Sequence, residues 1–359
     1  MISQVRQTCT NEMARKNDFL DGFRVIHLHP TLRCNLKCHH CYSSSAPGLK
    51  KELGSKEIVQ FLKYAWSRGF NALSVSGGEP FLYSGLEDVL RASKEIGYKN
   101  LVASNGMLLK TSRAKQILKL IDLIAISIDG DEKLHDEIRG LDGAYSKMLE
   151  GIGIVREMGL DFGLIHTLRE PSWEILLWLS KFAYTQGAKL LQLHPLEQFG
   201  RAKTEIDSNS VTQELLHKVF VLGNYLKGKY YPRMTVQLDF LHRDYISEYP
   251  QTATYFGTGF QVDKDNFAKA IKTIVIDENG NILPISYGFS GHFKIGNIMK
   301  EDYKTDLFEK FLIAKWESLY DLLEYTFGSI IQDSETDLVP WTELIVENSN
   351  KFNHQKQIV

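Results

Sequence analysis

The segment FRVIHLHPTLRCNLKCHHCYSSSAP (23–47) runs from a short apolar stretch into a loop that holds Cys34, Cys38 and Cys41 within eight residues. Three thiols so close cannot all pair as disulfides, and clustered cysteines in a reducing compartment read as metal ligands. Thiolates suit iron–sulfur clusters, and three of them leave one iron of a four-iron cubane open to a ligand. Structural zinc is the competing reading. It normally takes four protein ligands, and His39 or His40 would have to complete a cramped site.

Working outward, the chain alternates short apolar runs with amphipathic segments. Strand patterns fall at 23–30, 71–80, 98–106, 122–130, 160–168 and 188–196, with helical patterns at 55–70, 84–97, 111–120, 143–158 and 172–186. Ser55 reads as the N-cap of the first of these helices. Such alternation predicts a parallel sheet with right-handed crossovers. Six strands are too few for the closed eight-stranded barrel, so an α/β fold with a partial (β/α)6 barrel is expected. Four strands end in polar or glycine turns, RCNLKC, SGGEP, SNG and SIDG. In parallel β/α folds ligands sit at those carboxyl ends, so the four turns should meet on one rim.

The 359 residues are 43% hydrophobic and 24% charged, enough for one large core plus a smaller unit. A net charge of -2 gives no electrostatic case for a nucleic-acid partner. No run approaches the roughly 20 apolar residues of a membrane span, and MISQVRQTCTNEMARKNDF has no signal-peptide core. A cytoplasmic protein without membrane contact is the expectation.

Taken in order, CNLKCHHC after the first strand, SGGEP (76–80), SNG (104–106), SIDG (127–130) and HDEIRG (135–140) resemble the radical S-adenosylmethionine (SAM) superfamily over roughly residues 23–205. The resemblance implies one 4Fe–4S cluster on Cys34, Cys38 and Cys41, with SAM on its open iron. It implies that Gly77 and Gly78 let backbone approach the ligand, and that Glu79 accepts from the methionine ammonium. Ser104, Asn105, Ser127 and Asp129 would serve the ribose hydroxyls and methionine tail, Arg139 the methionine carboxylate, and His40 would lie near adenine. The reaction core implied is reductive cleavage of SAM to a 5′-deoxyadenosyl radical, with a ferredoxin or flavodoxin as electron donor. His166, His194 and Gln192 are weaker candidates to line the interior, a satisfied structural histidine being the commoner case.

Beyond Arg201 the rhythm changes. Four regions are expected: an N-terminal extension (1–22), the partial barrel (23–205), a bridging helical segment (206–268) and a C-terminal α+β domain (269–359). The last resembles a SPASM or twitch extension, because KTIVIDENGNILPI (272–285) reads as a hairpin and Gly296-Asn297 follows. Ile285 stands where that extension carries a cysteine, and no cysteine follows Cys41, so this domain should carry no cluster. The terminal ENSNKFNHQKQIV reads as a frayed tail.

The opening segment and the extension remnant resemble maturases of ribosomally made peptides, notably those acting on nif11-like precursors. The resemblance implies a precursor peptide with a leader as substrate, and the splicease branch, which excises tyramine to leave an α-keto-β-amino amide. A peptide epimerase or cross-linking enzyme, a radical SAM enzyme on a small molecule, and a non-catalytic metal-bound binding module are the alternatives. Only 22 residues precede the first strand, too few for a fused leader-recognition domain, so a separate small recognition protein is expected. The hairpin edge is a second place for a peptide to add as a strand. Cys9 is a candidate to return a hydrogen atom, although its polar setting favours an incidental thiol.

Overall fold

The computed structural model describes residues 22–257, 260–303, 305–333 and 335–355. Cys9 and nearly all of the expected N-terminal extension lie outside the described residues.

The six expected strands form: β1 (Val25–Leu28), β2 (Ala72–Val75), β3 (Lys99–Ser104), β4 (Leu123–Ser127), β5 (Phe162–Leu168) and β6 (Leu190–Pro195). Each pairs in parallel with the next in chain order. Helices Ser55–Trp66, Leu86–Ile96, Ser112–Leu118, Ala144–Glu157 and Leu176–Gln186 make the crossovers. Gly54, not Ser55, stands at the cap of the first helix, and Ser55 is its first helical residue.

Strand periodicity divides the sheet into two faces. Ile26, Leu28, Leu73, Val75, Val102, Ile124, Ile126, Leu164, Leu191 and Leu193 belong to the apolar core shared with the helices. The opposite parity, which includes His27, His29, Ser76, Ser127, Asp129, Gln192 and His194, faces the inside of the partial barrel.

Two features extend the expected barrel. The segment 206–268 is helical over Gln213–Tyr230 but then supplies β7 (Thr235–Leu238), parallel to β6, and β8 (Leu241–His242). Its description as a helical bridge is therefore corrected. The hairpin forms as β9 (Thr273–Ile276) and β10 (Asn281–Pro284), and β9 runs parallel to β1. β11 (Gly296–Asn297) pairs with β10, giving one ten-stranded sheet across the boundary expected near residue 205. The hairpin's free edge is thus partly taken already. Of the tail expected to fray (347–359), residues 347–355 complete the helix Trp341–Gln355 with Ser349 buried, and residues 356–359 lie outside the described residues. β12 (Leu338–Val339) ties the chain just before that helix to β8.

Among the described residues no helix is long and apolar enough to cross a membrane.

Candidate functional site

The cysteine loop leaves β1 at the rim and is held by its own backbone. Cys34 N–H donates to Ala46 O at 3.2 Å, His39 N–H to Ile138 O at 3.0 Å, and Cys41 N–H to Cys38 O at 3.3 Å. All three thiols are free, and they pack with Leu36, Met107 and Ala144. Cys34 Sγ accepts from Leu36 N–H at 3.4 Å, and Cys38 Sγ accepts from Arg139 Nη1 at 3.8 Å. Burial, reinforced by Glu79 and the other thiols, pushes the Cys34 thiol up to about 12. Burial raises Cys38 as well, against the pull of Arg139.

Thiols so placed gain most from a positively charged iron core, which would reverse those shifts. Among the described residues no trio of Cys, His, Asp or Glu side chains is gathered for a single ion. A cubane asks for something different, since each thiolate takes its own iron. The donor set fits a cluster.

The SGGEP turn lies directly on this loop. Gly78 N–H donates to Thr31 O at 2.8 Å and Glu79 N–H to Arg33 O at 2.9 Å. Gly77 has φ +97°, and a Cβ there would stand 2.7 Å from Thr31 O. At Gly78 a Cβ would stand 2.2 Å from Arg33 O. Both glycines therefore let this turn pack against the cysteine-loop backbone. Gly78→Ala should therefore push the loop aside, at a cost of about 1–3 kcal/mol. Iron bound per chain and the thermal midpoint should both fall, and an alanine variant matching the parent in both would refute this packing.

Glu79 is fully buried. Its Oε1 accepts from Ser104 Oγ at 2.9 Å and Phe81 N–H at 3.2 Å, and its Oε2 from Asn105 N–H at 3.0 Å. Burial raises its carboxyl to about 7, with those three donors holding it back from going higher. Asn105 also donates through Nδ2 to Asn35 Oδ1 at 2.8 Å, joining the third turn to the cysteine loop.

At the fourth turn Asp129 is the centre of a buried cluster. Its Oδ2 accepts from Arg139 Nε at 2.6 Å, and its Oδ1 lies 3.1 Å from His40 Nε2. Burial alone would raise Asp129, but Arg139 and His40 together hold it well below the carboxylate range. Arg139 and Asp129, expected to serve different parts of one ligand, are here paired with each other. His40 Nδ1 is buried without a partner among the described residues and is the open polar position of this cluster. Ser127 ends β4 two residues before Asp129, on the same face.

The rim thus gathers Cys34, Cys38, Cys41, His40, Gly77, Gly78, Glu79, Ser104, Asn105, Asp129 and Arg139. Three further groups fall outside the expectation. Arg201 reaches back to the cysteine loop, donating from Nε to Cys38 O at 2.7 Å and from Nη2 to Ser45 O at 2.9 Å. Asp239, just past β7, accepts from His194 Nδ1 at 2.9 Å and from the amides of Gln192 and Gln237. Burial disfavours charge on His194, yet Asp239 and Glu197 outweigh it and raise its imidazolium to about 10. The third group is aromatic: His29 stacks on Tyr287 at 4.5 Å with Tyr42 edge-on to both. For the second group, the alternation Thr235, Gln237, Asp239 is the signal that the sequence offers.

His194 and Gln192 therefore line the interior. His166 does not: it faces the helical layer, bonded to Ile128 O and Ser172 Oγ at 3.0 Å each. A mostly acidic concavity bounded by Asp131, Glu132, Lys133, Asp136, Glu137 and Asp142 contains none of the rim side chains.

This fold has counterparts. The chain is 29% identical over 150 residues to the Fe-coproporphyrin III synthase of Methanosarcina barkeri, covering 41% of this chain and 38% of that protein. It is 26% identical over 300 residues to the subtilosin biosynthesis protein AlbA of Bacillus subtilis, covering 80% of this chain and 60% of AlbA. It therefore spans less than two thirds of both curated relatives. Streptococcus suis SuiB bound to its precursor peptide SuiA superposes with a TM-score of 0.63 at 18% identity, covering 98% of this chain and 77% of SuiB. Residues 28–180, from the end of β1 into the helix before β6, match the family described as the radical SAM superfamily. That matched segment carries the three rim cysteines and the turns packed around them, and it is a radical SAM domain.

Proposed function

We propose that this chain is an enzyme that binds a 4Fe–4S cluster and SAM at the rim and modifies a ribosomally made precursor peptide. The observation that carries the reading is the joining of three clustered thiols (Cys38 buried, Cys34 and Cys41 partly buried), a buried carboxylate and an open histidine nitrogen on one carboxyl-end rim. When bound, a reduced cluster supplies the electron that splits SAM into methionine and a 5′-deoxyadenosyl radical.

In this reading Cys34, Cys38 and Cys41 hold the cluster. Glu79, fixed by Ser104 and Asn105, takes the methionine ammonium in a charge-assisted bond. Arg139 has Nη1 beside Cys38 and takes the methionine carboxylate, while Asp129 keeps the guanidinium in place. His40 Nδ1 and Ser127 complete the ligand's polar surround. Across the sheet, Gln192, His194, Gln237 and Asp239 form a polar wall that can engage amide groups of a substrate.

The likeness to SuiB and AlbA supports a peptide as that substrate. Within peptide chemistry we favour backbone splicing with loss of tyramine, which fits a chain whose cysteines end at Cys41. A one-electron protein donor and a separate leader-recognition protein complete the system.

The test is anaerobic reconstitution followed by mass spectrometry of a co-expressed precursor peptide. 5′-Deoxyadenosine with a peptide lighter by a tyramine unit is the expected result. An unchanged peptide mass with incorporation of solvent deuterium would mean epimerisation, and a loss of two hydrogens would mean cross-linking. Absence of 5′-deoxyadenosine from reduced protein with SAM would reject the enzyme outright.

A further inference from the structure

Arg201 lies outside the matched family segment, yet it reaches into the cysteine loop from the far end of the sheet. Besides its two side-chain bonds, its own N–H donates to Cys41 O at 2.9 Å. The neighbouring Gly200 has φ +55°, and a Cβ there would stand 2.2 Å from Tyr42 O. The chain leaving β6 is therefore moulded onto the chain leaving the third cysteine. One residue, Arg201, holds the backbone carbonyls of Cys38, Cys41 and Ser45 at once.

The electrostatics are as telling as the geometry. Arg201 is buried, and the acceptors of its guanidinium are two neutral carbonyls. Arg139, also buried and within reach of the Cys38 thiol, is neutralised by Asp129 at 2.6 Å. Burying a guanidinium without a counter-charge is unfavourable. Three thiolates leave a four-iron cluster net negative, and reduction adds one more negative charge beside the same cation.

Resting on the cluster assignment proposed above, we infer that Arg201 is a positioning residue whose guanidinium fixes the cysteine loop and serves as the counter-charge of the loaded cluster. Its fixed charge favours the reduced cluster over the oxidised one, which raises the reduction potential and eases electron uptake from a one-electron donor.

The experiment compares full-length Arg201→Gln and Arg201→Lys with the parent after anaerobic reconstitution. Iron and sulfide per chain are measured, then the midpoint potential by dithionite titration followed by electron paramagnetic resonance. Arg201→Gln should shift the midpoint to more negative potential. Arg201→Lys keeps the charge but not the planar fork, so it should bind less iron while its remaining clusters titrate near the parent value. A Gln variant with full iron content and an unmoved midpoint overturns the inference. If the Gln variant does not fold, the Lys variant still decides: a midpoint shifted well below the parent's overturns the counter-charge, and an unmoved one supports it. A parent chain that assembles no cluster at all overturns the functional reading, and this inference with it.

Discussion

Cys38→Ala is expected to abolish cluster binding and SAM cleavage together, while leaving the chain folded. Cys38 is the most deeply buried of the three cysteines and sits where the restraints on the loop converge. Arg139 approaches its thiol, Arg201 holds its carbonyl, and Cys41 N–H is anchored on that same carbonyl. None of the backbone bonds needs the sulfur atom. Truncation removes one small apolar-packed group beside Leu36, Met107 and Ala144, a loss on the order of 1 kcal/mol. With two thiolates left, a cubane loses a third of its protein ligands, and the open iron is no longer defined. Anaerobic reconstitution should give protein without the brown charge-transfer absorbance and with 5′-deoxyadenosine at background. Circular dichroism and the melting curve of the unloaded chain should stay close to the parent's. A variant that keeps the absorbance and the SAM cleavage would show that other groups hold the metal.

Much of this arrangement is legible in the amino-acid sequence alone. Each of β1 to β6 is a short apolar run, and β1 to β4 close in polar or glycine turns; that rhythm is local, so it survives in the one-dimensional text. The cysteine spacing and Glu79 after two glycines are likewise local. What the sequence hides depends on partners distant along the chain. β7 is four residues, Thr235–Leu238, set between Tyr230, Tyr231 and Phe240, and only its pairing with β6 makes it a strand of the sheet. Nothing within 272–285 says that β9 will lie beside β1. Arg201 and Asp239 gain their meaning from what they touch, the carbonyls of the cysteine loop and the ring of His194. The two glycines mark a tight turn in the sequence, but their packing against backbone from Thr31 to Arg33 is again a contact that only the fold reveals.

Glu79→Gln should separate the two consequences of burying a carboxylate. In the parent, burial raises the Glu79 carboxyl from 4.5 to about 7. Because the folded value lies above the unfolded one, the native chain binds the extra proton between those limits. Its contribution is therefore present below about pH 4.5 and is lost as pH rises through about 7, a change on the order of 3 kcal/mol. The glutamine variant has no such proton to lose, so the parent-minus-variant stability difference should decline across that window and then level off. Ligand binding should run the other way. Only the carboxylate can meet an ammonium, so SAM affinity of the reconstituted parent should climb with pH up to about 7 and then flatten. The variant keeps acceptors for Ser104 and Phe81 but sets an NH2 group against Asn105 N–H, and it offers the ammonium no charge. Its affinity should be lower by roughly ten- to a hundredfold, as for loss of a charged hydrogen bond, and should show no rise below pH 7. Denaturation and SAM titration at several pH values measure both trends. Equal affinity in parent and variant would remove Glu79 from the ligand site, even if the stability difference behaved as described.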